Sequence, residues 1–302
     1  MKKIVLFTLI TINLFGFDYK LSPKQLSSNV WCFFGALEPI TKHNGGNMAN
    51  SCYIKAKNSF IVFDSGPSYE YARQSYKEMS KIANLPVNTV IVSHEHDDHW
   101  LGNSFYKEKF NAELIGIKAI DDNYDSFSQT RMSRVLTKDA SKNTKIVKLD
   151  KHIDKTQTLT IDGEILEFNY LDYMAHTKND MFLYLPKRKV LFASDLVMNG
   201  RITSNRDGSI NGQIKAINLI ESKDYDVLIA GHGLITDKSA INEAKQYFTL
   251  LKQKIKVAID DGVDAEDLAQ IVKMSEFKDK AMFDILNPAN VSRAFYELEF
   301  EE

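Results

Sequence analysis

Three of the seven histidines in the chain fall within six residues, beside a carboxylate. His94, His96, Asp98 and His99 form the spacing H-x-H-x-D-H directly after the apolar run at 89–92. Such a run predicts a buried strand, whose carboxyl end would point several of these side chains into one small volume. Imidazole and carboxylate suit Zn²⁺, so the cluster predicts a metal site. The alternative is a polar loop in solvent, and chance produces this pattern too rarely to favour it.

Three further residues with metal-binding side chains follow or end strand-like segments. His176 follows a strand-like stretch, Asp195 closes an apolar run, and His232 ends another with a glycine on each side. Those glycines let the backbone come close to a site. Alone, each residue is more often structural, since a histidine after a strand is usually only hydrogen-bonded. With the first cluster they deliver seven nitrogen and oxygen ligands from four strand ends, whereas His43 and His152 are predicted surface residues.

The composition is that of an ordinary folded globular protein. Of 302 residues, 44% are apolar and 26% are charged, which excludes collagen-like, low-complexity and mainly disordered chains. The net charge of −2 creates no general positive field, so no nucleic-acid partner is expected. The two cysteines are too few for a disulfide scaffold. Cys32 and Cys52 either pair across neighbouring strands or pack as small buried apolar residues.

The amino terminus is a candidate targeting segment. Two lysines follow Met1, and residues 4–17 are mostly apolar, which is too short to span a bilayer but suits a secretory signal peptide. An uncleaved anchor or a buried first strand is the alternative. We expect residues 1–17 to be removed on export, which would leave a periplasmic or secreted protein without a stable membrane anchor.

Strand-like and helix-like segments alternate along the rest of the chain. The patterns predict, among other elements, a strand at 145–149, a helix over about 98–110 and mostly helix from about Thr236 onward. Strands followed by helices, twice over, predict an α/β protein in which two packed sheets have helices outside. We expect a catalytic domain over residues 18–238 and a C-terminal helical extension, packed on that domain, over 239–302.

The complete set of candidate ligands resembles that of the metallo-β-lactamase superfamily of metallohydrolases. The resemblance covers roughly residues 28–300 and implies a four-layer αββα sandwich of two mixed sheets. Asp64, in Phe63-Asp64-Ser65-Gly66, matches a strand-end aspartate that braces the ligand loop in this superfamily. Trp100 departs from the smaller residue that is usual after the last histidine of the motif, and it either packs under the ligand loop or shapes the pocket wall.

The resemblance implies two zinc ions that share one carboxylate. His94, His96 and His176 would bind one ion, Asp98, His99 and His232 the second, and Asp195 would bridge them. Iron or manganese could occupy the same nitrogen and oxygen ligands. Three segments narrow the resemblance to the exported quinoprotein-relay zinc metallohydrolases: Asp207-Gly208-Ser209, Gly231-His232-Gly233 and the tail at 287–299.

These features predict a dinuclear zinc hydrolase of a small-molecule substrate. Metal-bound hydroxide would attack an ester, thioester or amide-like carbonyl, with Asp98 holding the hydroxide in position as the catalytic residue. A β-lactamase that opens the lactam ring of antibiotics is an alternative. One β-lactamase subclass has cysteine at the bridging position, where this chain has Asp195, and this difference favours ester or thioester hydrolysis. The second alternative is a metal-binding periplasmic protein without turnover.

Overall fold

Two β-sheets lie at the centre of the computed structural model, which describes residues 16–300, and helices pack outside them. Nearly all of the predicted signal peptide, residues 1–15, lies outside the described residues. Among the helices of residues 16–300, none has the length and apolar composition needed to cross a membrane.

The first sheet contains strands from the amino-terminal half of the chain. Its strands are β1 (Lys24–Ser27), β2 (Val30–Phe33), β3 (Ser51–Lys55), β4 (Phe60–Phe63), β5 (Val87–Val92), β6 (Glu113–Gly116) and β7 (Lys151–His152), in that spatial order. From β1 to β4 the pairs are antiparallel, and from β4 to β7 they are parallel. Because β4 and β5 run in parallel, their carboxyl ends meet at one edge of the sheet.

The second sheet contains the later strands. They are β8 (Gln157–Ile161), β9 (Glu164–Tyr170), β10 (Met181–Leu185), β11 (Val190–Met198) and β12 (Val227–His232), in the spatial order β12-β11-β10-β9-β8. β11 and β12 are parallel and the other pairs are antiparallel. Apolar side chains of both sheets form one buried cluster between them, in which the rings of Phe63 and Phe192 lie 5.0 Å apart.

Helices cover the outer faces of both sheets. They are α1 (Tyr69–Ile82), α2 (Asn103–Phe110), α3 (Ala119–Asn123), α4 (Arg131–Val135), α5 (Ile210–Glu221), α6 (Asn242–Asp260), α7 (Leu268–Ile271) and α8 (Phe283–Leu298). The amino end of α1 is capped by Ser68, whose hydroxyl accepts a hydrogen bond from the Tyr71 backbone N–H. Helices α5, α6 and α8 share a second apolar cluster with the outer face of the second sheet. The expectation of helix after Thr236 agrees with these elements, whereas the proposed domain boundary at 238/239 stays a prediction.

Two local expectations were wrong. Residues 145–149 form no strand, because the Leu149 N–H is bonded to the Asp121 carboxylate rather than to a neighbouring strand. The helix expected over 98–110 begins only at Asn103. The residues before it form a turn in which the Gly102 N–H donates to the Gly66 carbonyl.

The two cysteines form a disulfide. Cys32 on β2 lies directly opposite Cys52 on β3, and the two sulfur atoms are bonded. Of the two interpretations of the sequence, pairing is therefore the one the structure contains.

We expect that replacing both cysteines by serine lowers the free energy of unfolding by about 3 kcal/mol, because the bond closes a loop of 20 residues in the unfolded chain. Denaturant unfolding at equilibrium measures this change. Adding a reductant to the unmodified protein should produce a similar loss, and a change below about 1 kcal/mol in both experiments would contradict the expectation.

Candidate metal centre

The seven predicted ligands lie together at one edge of the sandwich. They form two groups, and within each group the candidate ligand atoms lie within 4.8 Å of one another. The first group contains His94, His96, His176 and Asp195, and the second contains Asp98, His99 and His232. All seven side chains are buried except that of His96, which is half-buried.

Distances in the first group match a small coordination sphere. His176 Nε2 lies 3.0 Å from His96 Nδ1 and 3.2 Å from Asp195 Oδ2. His94 Nε2 lies 3.5 Å from the same carboxylate oxygen. Tetrahedral ligands at zinc bond lengths are about 3.3 Å from one another, so these three distances are close to what such an ion requires.

The second group is joined to the first by Asp195. Its Oδ1 atom lies 3.2 Å from His99 Nε2 and 3.4 Å from His232 Nε2, while Oδ2 faces the first group. Asp98 Oδ2 lies 3.4 Å from His232 Nε2. One carboxylate therefore presents one oxygen to each group.

Several of these atoms are buried without a hydrogen-bond partner. They are His94 Nε2, His99 Nε2 and Asp195 Oδ1. A buried polar atom without a partner is costly, and divalent cations at the two ligand groups fit as the missing partners. The donor set of imidazole nitrogens and carboxylate oxygens also suits zinc.

The protonation of the histidines is set by burial and by the shared carboxylates. Burial lowers the pKa of His96 to about 3 and also lowers that of His94. Burial would likewise lower the pKa of His99, but the carboxylates of Asp195 and Asp64 raise it well above its ordinary value. The neutral imidazoles that burial favours at His94 and His96 are the form that binds a metal.

Family comparison agrees with this architecture. The model of the Metallo-beta-lactamase superfamily matches residues 44–232. The chain belongs to the metallo-β-lactamase superfamily. Its homologues are metal-dependent hydrolases, so the expected enzyme class and the αββα fold are both confirmed. The narrower quinoprotein-relay assignment stays a prediction.

Individual relatives carry the same family name. The chain is 27% identical to metallo-beta-lactamase IND-1 of Chryseobacterium indologenes over 248 residues, which cover 77% of this chain and 92% of IND-1. A solved metallo-beta-lactamase from Pontibacter korlensis has a TM-score of 0.59 and 18% identity, with 76% of this chain and 99% of that chain covered. Metallo-beta-lactamase IND-7 has the same TM-score of 0.59 and 18% identity, covering 76% and 98%.

Asp64 contacts the ligand loop, residues 93–99, as the resemblance to the superfamily implied. Its Oδ2 atom lies 2.8 Å from His99 Nδ1, and its carboxylate accepts hydrogen bonds from the backbone N–H and the hydroxyl of Ser93. Asp64 has a φ of 54°, in the left-handed region that non-glycine residues seldom adopt. The strained backbone directs this carboxylate beneath His99.

Other histidines are held by partners that the sequence did not indicate. The second ring nitrogen of His176 donates to the Ser204 carbonyl at 3.0 Å, and that of His232 donates to the Met48 carbonyl at 2.7 Å. His96 Nε2 lies 3.3 Å from an oxygen of Asp207. Such contacts fix which ring nitrogen faces a metal. Backbone carbonyls belong to every residue type, so two of these three contacts leave no signal in the sequence.

Arg131, on α4, is a further site residue that sequence reasoning missed. Its guanidinium donates to Asp98 Oδ1 at 2.5 Å and to Asp97 Oδ1 at 2.8 Å. Although burial alone raises the pKa of Asp98, Arg131 and His99 keep it well below its ordinary value. Arg131 thus occupies one oxygen of Asp98 and leaves the other directed at the second group.

Arg201 is a buried cation beside the candidate ligands. Its Nη1 atom lies 3.3 Å from His232 Nδ1, and its Nε has no hydrogen-bond partner. Within residues 16–300, no carboxylate lies at ion-pair distance from this guanidinium. The sequence did not indicate that Arg201 lies at the site, because it stands six residues after Asp195 in a segment without a motif.

Two backbone features place Asp195, and one of them corrects an expectation. Asp195 does not close its strand: β11 continues to Met198, with its register to β12 shifted on both sides of Ser194, whose φ is 48°. Gly231 on β12 faces this irregularity. A Cβ atom there would lie 2.0 Å from Asp195 Oδ1, so only glycine fits beside the carboxylate.

Trp100 packs under the ligand loop. It is 1% exposed, and its indole N–H donates to the Glu95 carbonyl at 3.0 Å. The side chains that line the cleft at the site do not include it. Of the two interpretations of Trp100, the structure therefore supports packing.

Helix α8 holds the loop that carries two of the histidine partners. Asn290 accepts a hydrogen bond from the Asn205 N–H at 2.7 Å and donates to the Thr203 carbonyl at 2.8 Å. Arg293 Nε donates to the Gly208 carbonyl at 2.9 Å. These contacts lie on both sides of Ser204 and Asp207 along the chain.

We expect Asp64→Asn to weaken metal binding at the second ligand group by about 10- to 100-fold, because His99 loses its carboxylate partner. Stepwise zinc titration in competition with a chromogenic chelator measures both affinities. Asp121→Asn is the matched control, since Asp121 also lies 2.8 Å from a histidine ring nitrogen, that of His152, which is not a candidate ligand. Equal affinities in Asp64→Asn and the control would contradict the assignment.

For Arg293→Met we expect weaker metal binding at the first ligand group rather than at the second. The change keeps the apolar part of the side chain and removes the donor to Gly208, so the loop behind His96 and His176 loosens. Metal should bind about 10-fold more weakly at the first ligand group, while unfolding stability changes by about 1 kcal/mol or less. Arg73→Met, on an exposed face of α1, is the control. Weakening of both equivalents by the same factor would show that α8 does not act through this loop.

Proposed function

We propose that the protein is a dinuclear zinc hydrolase that cleaves an ester, thioester or amide-like carbonyl of a small-molecule substrate. The observation that carries this proposal is Asp195, which presents one oxygen to each of two ligand groups. Two cations held in this way would lower the pKa of a bound water to near neutral pH. They would also stabilise the negative charge that develops on the carbonyl oxygen.

Each residue at the site has a proposed role in metal binding, catalysis or substrate binding. His94, His96 and His176 would hold one ion, and Asp98, His99 and His232 the other. Asp98 is the proposed catalytic residue, because Arg131 fixes one of its oxygens and leaves Oδ2 to orient the attacking water and to pass its proton toward the leaving group. Arg201 lines the cleft without an ion-pair partner among the described residues, and its guanidinium would bind an anionic group of the substrate.

A β-lactamase is the second candidate, and the relatives favour it. IND-1, 27% identical to this chain, is a metallo-beta-lactamase by name. The bridging position argues the other way, because Asp195 stands where one β-lactamase subclass has cysteine. Hydrolysis rates for a chromogenic cephalosporin, a thioester and an aryl ester separate the two candidates, and a zinc-loaded protein that turns over none of them would be a metal-binding protein only.

Export to the periplasm or to the medium belongs to the same proposal. The apolar amino-terminal segment suits a secretory signal, and the Cys32–Cys52 bond is of a kind that persists in oxidising compartments. Detection of the mature protein outside the cytoplasm, with its amino-terminal sequence, tests this assignment.

We expect Asp98→Asn to lower kcat by at least about 100-fold on whichever substrate is accepted, because the amide cannot accept the proton. The measurement is kcat at saturating substrate, with zinc content determined on the same sample. Asp122→Asn is the control, since Asp122 is an exposed carboxylate paired with Lys118. A variant that keeps full activity would remove Asp98 from the catalytic role.

A further inference from the structure

The cleft at the candidate metal centre has an apolar wall that comes from the C-terminal part of the chain. The cleft has a volume of about 150 Å³. Met282, Ile285 and Leu286, at the start of α8, line it together with Pro39 and Ile40. The match to the superfamily model covers residues 44–232, so all five of these side chains lie outside it, three of them after its end.

The wall is fixed to the rest of the site. The Ile202 N–H donates to the Ala281 carbonyl at 3.0 Å, and the Ala281 N–H donates to the Gly200 carbonyl at 3.2 Å. This bridge ties the chain just before α8 to the segment that carries Arg201. Met282 follows with a φ of 65°, a conformation that costs a non-glycine residue energy and turns the chain into α8.

Ile285 is 57% exposed although it lies in a cleft that also contains His96 and His176. Isolated exposed isoleucines are ordinary, but this one lines the same cleft as Met282 and Leu286, beside buried polar residues. Apolar surface of this kind next to convergent polar groups is characteristic of a small-molecule site, in which it contacts the apolar part of the ligand.

We propose that this wall binds the acyl group of the substrate and that the enzyme therefore selects aliphatic acyl groups of several carbons over acetyl. This inference rests on the proposed hydrolase function, because the scissile carbonyl must lie at the two ligand groups for its acyl chain to reach Ile285. The wall decides which carbonyl compound binds, whereas the seven ligands supply the chemistry.

Binding of straight-chain hydroxamates to the zinc-loaded full-length protein tests the wall without turnover. Isothermal titration calorimetry gives the affinity from acetohydroxamate to octanohydroxamate. Affinity should rise by about twofold for each half-buried methylene and by about fourfold for each fully buried one until the chain passes the wall. In Ile285→Ser the octanohydroxamate affinity should fall about 10-fold, whereas acetohydroxamate affinity should not change.

Ile271→Ser is the matched control, because Ile271 is 53% exposed on α7 and does not line this cleft. Affinities independent of chain length, or a chain-length dependence that is the same in Ile285→Ser, would overturn the inference, as would failure of every hydroxamate to bind.

Hydrolysis of a matching series of aryl esters separates this inference from the proposed function. Chain-length-dependent binding without turnover of any ester, thioester or lactam would support the wall and overturn the hydrolase. Turnover that is indifferent to acyl length and unaffected by Ile285→Ser would support the hydrolase and overturn the wall.

Discussion

Two carboxylates, Asp98 and Asp195, are buried among five imidazoles at one edge of the sandwich, and their charge determines which groups can surround them. A carboxylate removed from water costs several kcal/mol unless opposite charge and hydrogen bonds compensate. Asp98 is compensated in part by Arg131, whereas Asp195 keeps a buried oxygen without a hydrogen-bond partner. Divalent cations at the two ligand groups would complete the compensation. Buried carboxylates would be costly in an apolar core. At this site they are explained if metal ions bind beside them.

Such a site needs a rigid support, and the parallel strands provide it. β4 and β5 end side by side in the first sheet, and β11 and β12 lie side by side in the second. These strands bring Asp64, His94, Asp195 and His232 to the same edge although up to 168 residues separate them along the chain. Gly231 shows how tight the approach is, because a single added carbon would collide with Asp195.

The sequence was sufficient for the parts of the site that strand ends determine. Strand ends can be recognised from apolar runs, and the residue types found there, such as His94 after β5 and His232 at the end of β12, reveal the chemistry. The sequence was insufficient where the conformation of a loop decides which groups contact the candidate ligands. The Ser204 carbonyl beneath His176 has no signature of its own, and Arg131 reaches Asp98 from a short helix 33 residues later. The strand expected at 145–149 failed for the same reason, since a side chain, Asp121, takes the place of a neighbouring strand.

The C-terminal helices separate chemistry from specificity. All seven candidate ligands occur by residue 232, where the superfamily match ends, so the later residues are not needed to supply donors. Yet α8 supports the loop behind two histidines through Asn290 and Arg293, and its first turn lines the cleft. An element that adds no ligand can therefore alter both how firmly the first group is held and which molecules reach it. Because its contacts to the loop are polar and its contribution to the cleft is apolar, the two effects can change independently as α8 varies in sequence.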